Sequence, residues 1–191
     1  MTSSFFKFII CYFVSISMLI IFISIFTISL SENSNISANS GEFVWPLPNH
    51  TYISSYFGYR DSPTAGASRY HSGIDIPAPA GTDIFSICSG IVTFASWGAG
   101  GGYTIVVENN NLKVSYCHVS PSFIVSRNDV VSVGQHISNV GPKNVYGIQD
   151  NPYKDSLGNP TNGASTGCHL HLTIKKDGIA VNPLDYFNFS N

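Results

Sequence analysis

The sequence predicts an all-β domain of antiparallel strands, preceded by one membrane-spanning helix. Three observations carry the β reading. The apolar runs past the first 30 residues are short and rich in β-branched side chains. Gly, Pro or Asn clusters separate them at hairpin spacing. None of them keeps a 3.6-residue apolar period for more than about two turns.

The helix comes first in the chain. Phe8 to Leu30 are 23 uncharged residues rich in Ile, Phe and Leu. At about 1.5 Å per residue they would span roughly 34 Å, against a hydrocarbon core of about 30 Å. Its serines cost little, because a helical hydroxyl can bond a carbonyl one turn back. The stretch has no polar stripe, and residues 29–40 offer no A-x-A-like cleavage site. Both features favour an uncleaved anchor over a core helix or a signal peptide. The amino terminus and Lys7 precede the stretch, whereas Glu32 and Glu42 follow it with no Lys or Arg before Arg60. The positive-inside bias then places the chain beyond about residue 31 outside the membrane. The expected localisation is a single-pass membrane protein with an extracytoplasmic domain, or a secreted one if the helix is cleaved. The predicted organisation is an anchor at 1–30, a polar linker at 31–44 and a folded domain at 45–191.

The strand candidates follow in order: ISSYFG (53–58), GIDIPA (73–78), DIFSICSGIVTFAS (83–96), YTIVVENN (103–110), LKVSYCHV (112–119), HISNVG (136–141) and HLHLTIKK (169–176). About 150 residues of this kind suffice for one sizeable core. With 10% charged and 13% aromatic residues, a mean hydropathy of +0.14 and no basic run, the chain is neither disordered nor equipped to hold nucleic acid. Cys88, Cys117 and Cys168 are an odd number beyond the anchor, so no complete disulfide framework is implied. They read as small apolar core residues.

Histidine carries the chemistry. Four of the six histidines lie in three tight contexts: His71-Ser-Gly-Ile-Asp75, Tyr116-Cys117-His118 and His169-Leu170-His171. His50 and His136 sit in ordinary loop and strand-edge contexts and are given no role. An i, i+2 pair puts two imidazoles on one strand face roughly 7 Å apart, a costly arrangement unless a metal or substrate uses it. His71 and Asp75 would lie roughly 13 Å apart on a straight strand, too far to share an ion. The chain must bend between them, and Gly73 permits it. Asp75 then opens an alternating strand with its carboxylate opposite Ile74 and Ile76. A carboxylate and two histidines leave a fourth position open, the pattern of a catalytic zinc site. Spacing alone does not say which member of the 169/171 pair binds metal.

Seven stretches resemble, in order, the lysostaphin/LytM-type zinc metallopeptidases that cut peptidoglycan peptides. They are SSYFGYR (54–60), HSGIDIPAPAGTDI (71–84), SGIVTFASW (89–97), YCHVS (116–120), SVGQHISNVG (132–141), STGCHLHLTI (165–174) and VNPLDYF (181–187). The resemblance implies one zinc ion held by His71, Asp75 and His171, with His118 and His169 as the catalytic histidines outside the ligand set. It implies a zinc metalloendopeptidase that attacks peptidoglycan cross-links or stem peptides with a zinc-activated water. Cys117 and Cys168 depart from the family's usual small residue and Pro, and strand alternation turns Cys117 away from His118.

The long segment from Gly141 to Gly167 is expected to wall the substrate groove, as such loops do in this family. Gly98 to Gly102 lacks the Gly-Lys-Ser/Thr of a phosphate loop and reads as a hairpin tip or groove wall. Two alternatives stand beside the peptidase. One is a non-catalytic member of the same fold, a regulator with septal or sporulation protein partners. The other is a cysteine-dependent peptidase built on Cys117 or Cys168, although those cysteines lie in strand contexts rather than at a helix N-terminus.

Overall fold

The structure, a computed structural model, describes residues 43–63 and 67–188. The expected anchor at 1–30 and nearly all of the linker lie outside the described residues. Among the described residues no helix is long and apolar enough to cross a membrane.

The described strands are β1 (Gly58–Tyr59), β2 (Tyr70–His71), β3 (Ile74–Pro77), β4 (Asp83–Phe85), β5 (Gly90–Trp97), β6 (Tyr103–Asn109), β7 (Leu112–Cys117), β8 (Val130–Val131), β9 (His136–Asn139), β10 (His169–Lys176) and β11 (Ile179–Val181). Two short 3-10 turns, Ala99–Gly101 and Pro183–Tyr186, complete the elements. All pairings among the described strands are antiparallel, as the hairpin spacing of the turn residues predicts. The main sheet runs β11-β10-β7-β6-β5-β8, and β3 also pairs with β10.

Strand β10 organises this sheet. Over residues 169–172 it lies beside β3, with His171 opposite Asp75. On its other side His171 lies opposite Cys117 of β7. The period-2 pattern then sorts side chains to two faces. Leu170, Leu172 and Ile174 of β10, Ile74 and Ile76 of β3, and Val114 and Tyr116 of β7 are all fully buried in one core. Each such aliphatic side chain contributes about 1.5–3 kcal/mol through burial. The alternate positions, His169, His171, Thr173 and Lys175 with Asp75, Pro77, Ser115 and Cys117, line a groove on the other face. One alternation therefore builds both core and groove.

Edge-to-face contacts of Phe43 on Tyr186 and Trp45 on Phe187, at 4.8 and 4.9 Å, pin the segment ahead of β1 against the last turn.

Candidate metal centre

His71, Asp75 and His171 come from three strands that meet at one point. His71 ends β2, Asp75 is second in β3, and the turn between them is Ser72-Gly73. A Cβ on Gly73 would lie 2.2 Å from the Leu172 carbonyl oxygen and 2.9 Å from Thr173 Oγ1. Gly73 is therefore needed because the turn passes hard against β10, and not only because the chain bends there.

His171 Nδ1 is 2.8 Å from Asp75 Oδ1 and 2.9 Å from His71 Nε2, and His71 Nε2 is 3.2 Å from Asp75 Oδ1. The opposite side of each group is anchored. His71 Nδ1–H donates to the Tyr56 carbonyl at 2.8 Å, with Ser55 Oγ at 3.3 Å. A carbonyl only accepts, so Nδ1 of His71 carries a proton and Nε2 is the atom turned to Asp75 and His171. His171 Nε2 is 2.9 Å from Thr173 Oγ1, which accepts its proton when Nδ1 serves as a ligand. Asp75 Oδ2 accepts from Arg60 Nη1 at 2.9 Å, and the same Nη1 donates to Ser55 Oγ. Burial opposes ionisation of Asp75, but hydrogen bonds to His169, His171 and His71 hold its carboxyl far below the usual carboxylate range. Burial also pushes His171 below its ordinary value, against the pull of Asp75. Both shifts favour deprotonated donors.

This donor set fits zinc. Four tetrahedral ligand atoms at 2.0–2.1 Å from zinc lie roughly 3.3 Å apart, and borderline-soft zinc takes imidazole nitrogen with carboxylate oxygen. Three electron-pair donors crowded within 4.8 Å of one another also repel unless a cation sits among them. His71, Asp75 and His171 would supply three ligands and leave a position open.

Two more histidines complete the cluster. His118 immediately follows β7 with φ 59°, a left-handed conformation uncommon for non-glycine residues. Its Nδ1–H donates to the Asn162 carbonyl at 2.6 Å. Its ring lies 4.7 Å from that of His169 and 6.1 Å from that of His171, centroid to centroid. Burial beside His169 and His171 pushes His118 down to about 3, so the imidazole is neutral at ordinary pH. His169 Nδ1–H donates to the Gly167 carbonyl at 3.0 Å, while Nε2 lies 3.5 Å from Asp75 Oδ1. In both rings a carbonyl takes the Nδ1 proton; this leaves the Nε2 lone pair of neutral His118 for other work and turns His169 Nε2 toward Asp75.

The groove over this cluster has a volume of about 850 Å³. Tyr70 and Arg60 line one part, Gly100 and Gly101 another, and Thr166 to Cys168 a third. The Gly98 to Gly102 stretch is thus both a strand connection and a groove wall. Of the long 141–167 segment only Ala164 and Thr166 to Gly167 reach the groove. Its body instead folds on itself through Asn144–Thr161 and Lys154–Pro160 bridges.

The structure brings together all five residues singled out from sequence: His71, Asp75, His171, His118 and His169. His50 and His136 lie outside the cluster; the His50 carbonyl accepts from Trp45 Nε1, and His136 pairs with Asp83 at 3.5 Å. The expectation that Cys117 faces away from His118 fails, since both border the groove. β7 ends at Cys117, and the positive φ of His118 breaks the alternation. The three described cysteines are free thiols. Burial pushes Cys117 and Cys88 up to about 11, which leaves no thiolate on either. Sequence reasoning missed Arg60, Thr173 and Asn162 as partners of the cluster. Arg60 closes the SSYFGYR stretch and was its only available signal.

The profile of peptidase family M23 matches residues 69–152. The DD-carboxypeptidase/endopeptidase Mpg of Neisseria meningitidis serogroup B is 32% identical over 155 residues, which cover 80% of this chain and 31% of that protein. Peptidoglycan DD-endopeptidase ShyC of Vibrio cholerae is 27% identical over 139 residues, 72% of this chain and 28% of that one. The chain thus spans about a third of the length of the curated relatives it matches. Among solved structures, the catalytic domain of lysostaphin from Staphylococcus simulans superposes with a TM-score of 0.56 at 26% identity, covering 72% of this chain and 92% of that one. Csd3 of Helicobacter pylori gives 0.57 at 29% identity, covering 78% and 34%. Together with the fold, these similarities place the chain in peptidase family M23, with a domain of the lysostaphin/LytM type.

Proposed function

We propose that the chain is a zinc metalloendopeptidase that hydrolyses peptide bonds in peptidoglycan. The observation that carries this reading is the placement of two carbonyl-anchored histidines, His118 and His169, beside the His71–Asp75–His171 donor set. Zinc, held by those three residues, would polarise the scissile carbonyl and bring the pKa of a water to about 7.

The chain's own groups do the rest. His118 is neutral through burial, and its Nε2 can take a proton while Nδ1–H stays on the Asn162 carbonyl. That carbonyl also stabilises the imidazolium that results. His169 is held in the same way by Gly167. Between them the two rings take the proton of the attacking water, donate to the oxygen of the scissile carbonyl as charge builds there, and return a proton to the leaving amine. The groove admits an extended peptide, and β10 and β3 position the cluster at its floor.

The names of the relatives, a DD-carboxypeptidase/endopeptidase in Neisseria and a peptidoglycan DD-endopeptidase in Vibrio, share an endopeptidase activity, which supports a cross-link bond as the substrate. Presence of the full five-residue cluster favours catalysis over a purely regulatory role in division or sporulation. The uncharged stretch Phe8 to Leu30 supports a single-pass anchor with the domain outside the membrane. The test is digestion of purified walls of known cross-link type, with mass spectrometry of the released fragments. Release of cleaved cross-links by the zinc-loaded chain is expected. Intact walls would overturn the peptidase reading.

A further inference from the structure

We propose that Asn162 is the positioning residue of His118, a clamp that aims its own carbonyl at the imidazole and so sets which ring nitrogen carries the proton. This rests on the reading of His118 as a proton carrier. Asn162 is 1% exposed and lies toward the end of the long segment from Gly141 to Gly167. Its Oδ1 accepts from the Tyr103 backbone N–H at 2.9 Å, and its Nδ2 donates to the Val119 carbonyl at 3.0 Å. Its own N–H donates to the Lys143 carbonyl at 2.9 Å. Tyr103 opens β6, and Val119 is the residue after His118. The amide therefore grips the backbone on both sides of the imidazole it serves.

Two glycines leave the clamp its space. A Cβ on Gly102 would come within 2.2 Å of Asn162 Oδ1 and 2.5 Å of its carbonyl oxygen. A Cβ on Gly141 would come within 2.4 Å of Asn162 Nδ2. With its side chain fixed at both ends, Asn162 has no freedom to turn its carbonyl off His118 Nδ1, 2.6 Å away. A carbonyl accepts only, so the bond selects the Nδ1–H tautomer and leaves Nε2 as the proton acceptor. Without the bond both tautomers are open, and only one of them can accept a proton at Nε2.

The test uses the full chain carrying Asn162→Ala, Asn162→Asp or Gly102→Ala. Nitrogen-15 spectra of the histidine rings in the metal-free chain report the tautomer of His118 directly. Turnover on a cross-linked wall peptide and zinc per chain are measured beside them. Wild type should show the Nδ1–H form alone. Asn162→Ala should show both forms and lose on the order of 10–100-fold in kcat, with KM and zinc content kept. Gly102→Ala, which keeps the asparagine but pushes its Oδ1 and carbonyl aside, should do the same. Asn162→Asp keeps the acceptor for Tyr103 and loses the donor to Val119, so it should fall between; it carries the test if Asn162→Ala does not fold. An unchanged tautomer and kcat in folded Asn162 variants, with His118→Ala inactive, would overturn the clamp. Loss of zinc in step with kcat would overturn it too, as general loosening. A fully active His118→Ala would overturn the proton-carrier reading, and the tautomer spectra would still decide the clamp.

Discussion

Arg60 Nη1 donates to Asp75 Oδ2 at 2.9 Å, so the guanidinium holds the outer oxygen of a carboxylate whose inner oxygen faces His71 and His171. The two residues are brought together by a bridge between Ser55 and Asp75, which lays the segment ahead of β1 along β3. A carboxylate anchored on one oxygen presents the other in a single orientation, and losing such an anchor typically weakens metal binding about 10–100-fold. Arg60→Gln should therefore lower zinc affinity by that order in a chelator competition, while kcat at saturating zinc changes less. Unchanged affinity would show that the histidines alone orient Asp75.

Acid should unfold the metal-free chain earlier than its surface charge suggests. His118 is pushed down to about 3 in the folded state, against about 6.5 in an unfolded chain. Between those values the unfolded chain binds a proton that the folded one refuses, so stability falls as pH drops below about 6.5. His171 is lowered as well and adds in the same direction. Asp75, also lowered, contributes stability that is present above about 4 and is lost as pH falls further. His118→Gln removes one titrating group without opening a large cavity. Its unfolding midpoint should depend on pH less steeply between 6.5 and 4 than that of wild type, as followed by circular dichroism. Parallel pH profiles would show that His118 binds its proton equally in both states.

The thiols at the groove should be dispensable. Cys117 is buried beside Gly101 and pushed up to about 11. Cys168 precedes His169 on the groove wall. The double variant Cys117→Ala, Cys168→Ala should keep wild-type turnover, and a zinc chelator should abolish turnover in both proteins. Loss of activity in the variant with zinc content intact would revive the cysteine-dependent mechanism.

What the sequence made legible was periodicity. HLHLTIKK alternates strictly from His169 to Thr173, so Leu170 and Leu172 go to the core while His169, His171 and Thr173 face the groove. GIDIPA does the same for Asp75 between Ile74 and Ile76. Alternation misled at Cys117 and His118, because a period-2 argument holds only while the strand lasts. The contacts Arg60–Asp75 and Asn162–His118 were not legible, since they join positions 15 and 44 residues apart whose proximity depends on how loops return to the sheet. Strand β11 was also passed over. Its run is only Ile179–Val181, too short for a pattern, although the Asp177-Gly178 turn before it, with φ 53° and 80°, is a hairpin signal.

His169 and His171 differ by two positions on β10 yet should fail differently. His171 Nδ1 lies within 2.9 Å of both Asp75 Oδ1 and His71 Nε2, at the centre of the donor set. His169 Nε2 lies farther off, 3.5 Å from Asp75 Oδ1, with its other nitrogen on Gly167. His171→Ala leaves two protein ligands, so zinc content and turnover should fall together. His169→Ala leaves the three donors in place, so the chain should keep close to one zinc while losing on the order of 10²–10⁴ in rate. His118→Ala should resemble His169→Ala. Metal content per purified variant, read beside turnover on a cross-linked wall substrate, separates the roles. Zinc lost from His169→Ala and kept in His171→Ala would exchange the two assignments, and full activity in both would remove the metallopeptidase reading.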